Sequence, residues 1–361
     1  MKIDIDVDRS CRHRFINYLI LNTSFSDTIG LLNGKSAAIL YLYLNRSKFE
    51  ADWIDHIAYT HLEEMLLQTS VFTPLTFGNG LSGMGVMLEF LASSGYLQEN
   101  VSDLLEEVEP KLLGLVYGGT LKQAGIAEGL SGLGLYFLHR IRSSSPSSPL
   151  MMLKYKEAVI ACVEQIWILY QGGHIPVTNT SFFTGLPGIL CFLCNVTAEN
   201  IYEPETASLL IRFANILMDK LVGSGNLLPD ATGYLVLSEI AGLPGDLINS
   251  ETFLLHLDTW FNKFEAANFE TVDIAAPLQM LFAKKLAVRY KRAASVTQSD
   301  KLFQQLYSNL GKRSMKEIFP FDRSVNAVRT GLENGVPSLA LPLHSIESGD
   351  YSWLSIFGIN N

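Results

Sequence analysis

One phrase recurs along this 361-residue chain: a glycine, a small residue or proline close behind it, then a run of apolar residues. It reads "FGNGLSGMGVMLEFL", "GIAEGLSGLGLYFL", "TSFFTGLPGILCFL" and "EIAGLPGDL". The first glycine of the phrase falls at Gly34, Gly80, Gly129, Gly185, Gly242 and Gly335, at intervals of 46, 49, 56, 57 and 93 residues. The last interval holds a worn copy, "DIAAPLQMLFAKKL", in which Ala276 stands for the glycine. Seven units follow, and a repeat of this length means that each unit buries its apolar face only against its neighbours.

The run after each glycine is apolar on all sides, as in "LSGLGLYFLHRI", which marks a helix buried on all sides. Pro187, Pro244, Pro277 and Pro337 sit just behind the motif position. Proline suits the first turn of a helix, where its missing N–H would have no partner, so each predicts a helix start. Between the phrases lie amphipathic stretches beginning near Trp53, Lys154 and Ala207, with apolar residues at three- and four-residue spacing. Buried and surface helices therefore alternate. The chain is 48% hydrophobic and only 17% charged, as a shielded inner layer requires. The expected fold is an all-α double ring, an α/α toroid, in one domain spanning residues 1–361. Closure gives every unit two neighbours and removes the need for caps. The turns before the inner helices then share one mouth, lined by Asn33, Asn79, Glu128, Thr184, Ala241, Ala275 and Asn334.

Charge excludes some functions. The net charge is −9, and the densest basic stretch, Lys284 to Arg292, reads as a solvated helix face, so nucleic-acid binding is disfavoured. The N-terminus lacks a signal-like apolar core, and no apolar run is long enough to span a membrane. A cytoplasmic protein is expected. Its four cysteines, Cys11, Cys162, Cys191 and Cys194, are then not a disulfide framework.

Seven Gly-rich inner-helix motifs over essentially the whole chain, with the ending "VRTGLENGVPSLALPLHSIESGDYSWLSIF", resemble the lanthionine synthetase C (LanC-like) family. The resemblance implies an α/α toroid and a role in maturing modified peptides, in which thiols add to dehydrated Ser/Thr residues to form thioether rings. It also implies one zinc at the mouth, held by a cysteine of the fifth repeat and a cysteine and histidine of the sixth, and an acid/base histidine in the fourth. Aligned by its glycines, this sequence departs at each place. Ile240 and Ala241 stand in the fifth, Ile274 and Ala275 in the sixth, Thr184 in the fourth. Isoleucine and alanine carry no donor atom for zinc. No metal and no cofactor are therefore expected.

Other residues offer alternatives. Cys191 and Cys194 share one face of the fourth inner helix, where small buried core residues are the cheaper reading. His174, on the loop before the fourth repeat, reads as a surface histidine. His139 ends an inner helix, where a positive charge suits the negative helix end. Glu128, Glu239, Asp246, Asp273 and Glu333 lie near turns, and two acids at the mouth of a helical ring would also suit glycoside hydrolysis. The leading expectation is a zinc-free, peptide-binding LanC-like protein using Asn79, Glu128, Thr184 and Asn334. Its partners would be a precursor peptide and a dehydratase or other maturation enzyme. An active cyclase with a non-standard site and an α/α-barrel carbohydrate enzyme are the alternatives.

Overall fold

The computed structural model describes residues 5–46, 53–143, 148–269, 276–319, 330–333 and 335–359. Among them there are helices, turns and no strand. Numbered in chain order, seven helices form an inner ring: α2 (Lys35–Asn45), α4 (Leu81–Ser93), α7 (Leu130–Arg142), α9 (Leu186–Ala198), α11 (Leu227–Ala241), α13 (Pro277–Arg289) and α16 (Val336–Ser348). Each packs on the next, and α16 packs back on α2. Outside them lie α1 (Ile5–Asn22), α3 (Trp53–Leu67), α5 (Val101–Leu105), α6 (Glu109–Tyr117), α8 (Pro149–Gln171), α10 (Glu205–Gly223), α12 (Ser250–Ala266), α14 (Ala293–Gly311) and α15 (Met315–Ile318). Helix α1 packs on α14 and α16, so the first outer helix covers the last inner one.

The inner helices are buried as their all-round apolar sequences require. In α2 every residue from Lys35 to Asn45 is buried, and in α9 every residue from Leu186 to Thr197. Each large aliphatic or aromatic side chain so enclosed contributes about 1.5–3 kcal/mol. Helix–helix spacing is set by glycine. A Cβ on Gly85 of α4 would lie 2.4 Å from the Tyr136 ring of α7, and one on Gly134 would lie 2.2 Å from the Phe192 ring of α9. In these two pairs an aromatic ring of the following helix rests on a bare stretch of the one before.

Charge is admitted to the interior where it is paired. Arg140, 1% exposed, joins Glu89 of α4 and reaches Glu109 of α6 at 2.7 Å and Ser102 of α5 at 3.0 Å. The Tyr155 hydroxyl of α8 donates to the same Glu109 Oε1 at 2.6 Å.

The expected helix starts at Pro187, Pro277 and Pro337 are present, and Ala276 is the N-cap of α13. The fifth unit differs. Helix α11 starts at Leu227 behind Asn226, and Gly242 closes it at the C-terminal end. Pro244 lies in the exposed turn beyond. The "AGLPG" phrase here ends an inner helix, a place glycine also favours because the last turn needs no Cβ. The start is marked instead by "NLLPDATG", with Pro229 in the first turn. Ile240 and Ala241, expected before an inner helix, therefore lie in the last turn of one, at the end of the ring opposite the mouth.

A segment beyond α16 lies inside the ring. A 3₁₀ segment, Ser352–Phe357, packs on α4 and α7, with Trp353, Leu354, Ile356, Phe357 and Ile359 all buried. Phe357 meets three aromatic residues of the mouth turns, with ring centroids 6.0 Å from Phe77, 5.4 Å from Phe182 and 5.7 Å from Phe183. Polar contacts hold it there. Trp353 Nε1 donates to Ser345 Oγ at 2.7 Å, Cys191 Sγ to the Phe357 carbonyl at 3.0 Å and Asn195 Nδ2 to the Gly358 carbonyl at 3.2 Å. His139 Nε2 lies 3.0 Å from the Ile356 carbonyl. Burial pushes His139 down to about 4, so it is a neutral donor to this segment and not the cation expected for a helix end.

Candidate functional site

The mouth is built by the turns before the inner helices, and their backbones interlock. In the seventh turn, Leu332 N donates to the Leu31 carbonyl at 3.2 Å and Glu333 N to the Leu32 carbonyl at 2.8 Å. In the first, Leu32 N and Asn33 N both donate to the Gly78 carbonyl at 3.1 Å. Gly78 N then donates to the Ala127 carbonyl at 2.7 Å, and Ala127 N to the Phe183 carbonyl at 2.9 Å. Five turns, the seventh through the first to the fourth, form one hydrogen-bonded collar. So close an approach excludes side chains: a Cβ on Gly331 would lie 2.0 Å from the Leu32 carbonyl oxygen.

On this collar Asn79 Nδ2 donates to Glu128 Oε1 at 2.6 Å. Both residues are partly buried. Glu333, in the neighbouring stretch of the collar, has its carboxyl pushed above the usual range, first by burial and then by the charge of Glu128. The rim thus brings one amide and two carboxylates together. It can accept several N–H donors or take up a cation.

The structure brings Asn79 and Glu128 together and sets Thr184 apart. Thr184 is exposed, and its hydroxyl accepts from Asn179 Nδ2 at 3.1 Å within its own loop. Asn33 stands on the collar, whereas Ala241 is at the opposite end. Ala275, Ile274, Asp273 and Asn334 lie outside the described residues. Of the remaining acids, Glu239 is paired with Arg289 at 2.7 Å at the far end of α11, and Asp246 is exposed in the turn after it. His174 is exposed beyond α8. Cys191 and Cys194 are buried, as the sequence indicates. Burial pushes the Cys194 thiol up to about 12 and Cys191 higher than usual too, so neither supplies a thiolate near neutral pH.

Two open clefts lie at the other face. One of about 410 Å³ is bounded by Cys194, Ser238, Glu239, Arg289 and Tyr290, and one of about 370 Å³ by Phe90, His139, Arg142 and Glu199. Sequence reasoning missed the first because it placed Glu239 and Ala241 near the mouth. The break in apolar character at "GSGNLLPD" is the signal that puts the start of α11 in its true place.

No family model matches the chain, and no curated protein matches it in sequence. A solved structure does. Nisin cyclase is similar over 98% of this chain and 97% of its own, with a TM-score of 0.69 at 13% sequence identity. The fold is an all-α toroid of that kind.

The LanC-like resemblance raises the question of a metal. A zinc held as in that family needs thiolates and an imidazole at the starts of the fifth and sixth inner helices. Residues 222–229, "VGSGNLLP", lead into α11 and contain neither Cys nor His. Residues 267–276, "ANFETVDIAA", lead into α13 and contain neither. Among the described residues no group of three His, Cys, Asp or Glu is placed to hold a metal ion. Neither stretch offers a thiolate or an imidazole.

Proposed function

We propose that the chain is a single LanC-like domain that binds a precursor peptide at the collar and assists its maturation in the cytoplasm, beside a dehydratase, without zinc and without closing thioether rings. The name nisin cyclase supports a peptide as the ligand. The observation that carries the reading is the collar itself. It keeps the toroid's mouth and lines it with Asn79, Glu128 and Glu333, groups that hydrogen-bond an extended backbone but do not lower the pKa of a substrate thiol. Among the described residues no helix is long and apolar enough to cross a membrane.

The test is binding of a labelled precursor peptide, with and without a zinc chelator, together with elemental analysis of protein made in zinc-supplemented medium. Chelator-insensitive binding, weakened by Asn79→Leu, Glu128→Leu or Asn334→Leu, is expected. One zinc per chain, or ring formation on a dehydrated peptide by this protein alone, would overturn the reading in favour of an active cyclase.

The carboxylate pair favours one other reading. Two acids close together at the mouth of a helical ring suit a glycosidase. The aromatic residues beneath them, Phe77, Phe182 and Phe183, are at most 7% exposed and are engaged with Phe357, so they offer no face to a sugar. Tight oligosaccharide binding lost in Glu128→Gln would restore that alternative.

A further inference from the structure

A larger cleft, of about 590 Å³, lies neither at the mouth nor at the base. It is a groove on the outer wall, between α8 and α10. Val163, Trp167 and Ile168 form one side, Ser208 and Leu209 the other, and Tyr202 and Pro204 of the preceding loop close one end. Val163 and Leu209 are buried as its floor, whereas Ile168 is 63% exposed at its edge. Two carboxylates, Glu164 and Glu205, stand among the lining residues, and no base does. The Tyr202 hydroxyl donates to Glu164 Oε1 at 3.0 Å and fixes that carboxylate over the groove. Tyr202 and Asn200 hold left-handed backbone, with φ of 57° and 52°, which costs a tyrosine free energy. Arg212, outside the lining, sets its guanidinium 5.5 Å from the Trp167 ring centre and 5.7 Å from that of Tyr170. That placement shows that the indole accepts a cation against its face.

An apolar floor of this volume takes a few side chains of a peptide. The carboxylate edges decide which kind: an apolar anchor with Lys or Arg beside it is attracted, and an acidic segment is repelled. We propose that the groove between α8 and α10 docks a short basic, apolar-faced segment of another polypeptide, at a site separate from the collar.

Trp167 is a built-in reporter. The probe is a synthetic twelve-residue peptide with leucines at helical spacing and flanking lysines, compared with the same peptide carrying glutamates for the lysines. Titrated into the full chain, the lysine peptide should give a saturable change in indole emission that is absent from Trp167→Phe, and the glutamate peptide should give none. Ile168→Ser alters a side chain already in solvent and should weaken binding at least fivefold. The pair Glu164→Gln with Glu205→Gln should weaken it at least fivefold and flatten its salt dependence. Asn79→Leu should leave it unchanged. Equal response to both peptides, unchanged affinity in the groove variants, or loss of binding in Asn79→Leu would each overturn the proposal.

Discussion

The side-chain amide of Asn79 donates to Glu128 Oε1 across 2.6 Å, tying the second turn of the collar to the third. The two side chains act as a unit, so their substitutions should not add. Asn79→Leu and Glu128→Leu are each expected to weaken precursor-peptide binding about tenfold, which is about 1.4 kcal/mol. The double variant should be little worse than either alone. Calorimetric titration of the four proteins reads this coupling directly, and independent, additive losses would show that the contact is incidental to binding.

Gly185→Leu should be strongly destabilising. A Cβ there would lie 2.3 Å from the Asn179 carbonyl oxygen and 2.7 Å from that of Ser181, backbone atoms that cannot turn aside. A loss of about 3 kcal/mol or more is expected. Gly114 is the contrasting case, a helical glycine whose Cβ would meet no atom within 4 Å. Gly114→Ala should stabilise by about 0.5–1 kcal/mol. Thermal melting of the pair distinguishes collar packing from a general intolerance of substitution.

Arg140→Met should cost about 3–5 kcal/mol, because it leaves Glu89 and Glu109 buried without their cation. Replacing Arg140, Glu89 and Glu109 together by apolar residues of similar volume should recover most of the loss. Urea unfolding of the single and triple variants measures both. A triple variant as unstable as the single one would mean that the network sets local geometry and does more than neutralise charge.

His139 makes the anchoring of the C-terminal segment sensitive to acid. Its folded pKa, about 4, lies below that of a free histidine, chiefly because burial disfavours the charged ring. The stability this contributes is present above about pH 6.5 and is lost as pH falls from there toward 4. Allowing for the residue's partial solvent access, the loss by pH 5 is about 1–2 kcal/mol. Hydrogen exchange of residues 352–359 should therefore accelerate from pH 7 to pH 5 after correction for the intrinsic rate. In His139→Gln, which donates without titrating, that acceleration should disappear.

The ring was legible in the sequence because it depends on short-range signals. All-round apolar runs, glycines at their heads and prolines in the first turn each follow from one helix and its nearest neighbour. Gly80, Gly129 and Gly185 could be read that way, as could Ala276 with Pro277 behind it. The fifth unit could not, since glycine and proline serve a helix end as readily as a helix start, and Gly242 closes α11. The rim was partly legible. Asn79 and Glu128 precede their glycines, but the electrostatic influence of Glu128 on Glu333 acts between residues far apart in the chain, which local pattern does not carry. The insertion of Phe357 among Phe77, Phe182 and Phe183 is of the same kind, and "YSWLSIFGIN" on its own is only a short apolar segment.

The collar joins its seventh turn to its first through Leu332 and Glu333 on Leu31 and Leu32. An open array of repeats can begin folding on the ribosome and add units as they emerge. This ring has no such order of assembly. Its first unit waits, one face bare, until translation has passed residue 333, and its axis stays empty until Phe357 arrives. Biosynthesis therefore passes through an incomplete ring with an apolar flank on each side, and that interval, more than the finished toroid, is where chaperones would be needed.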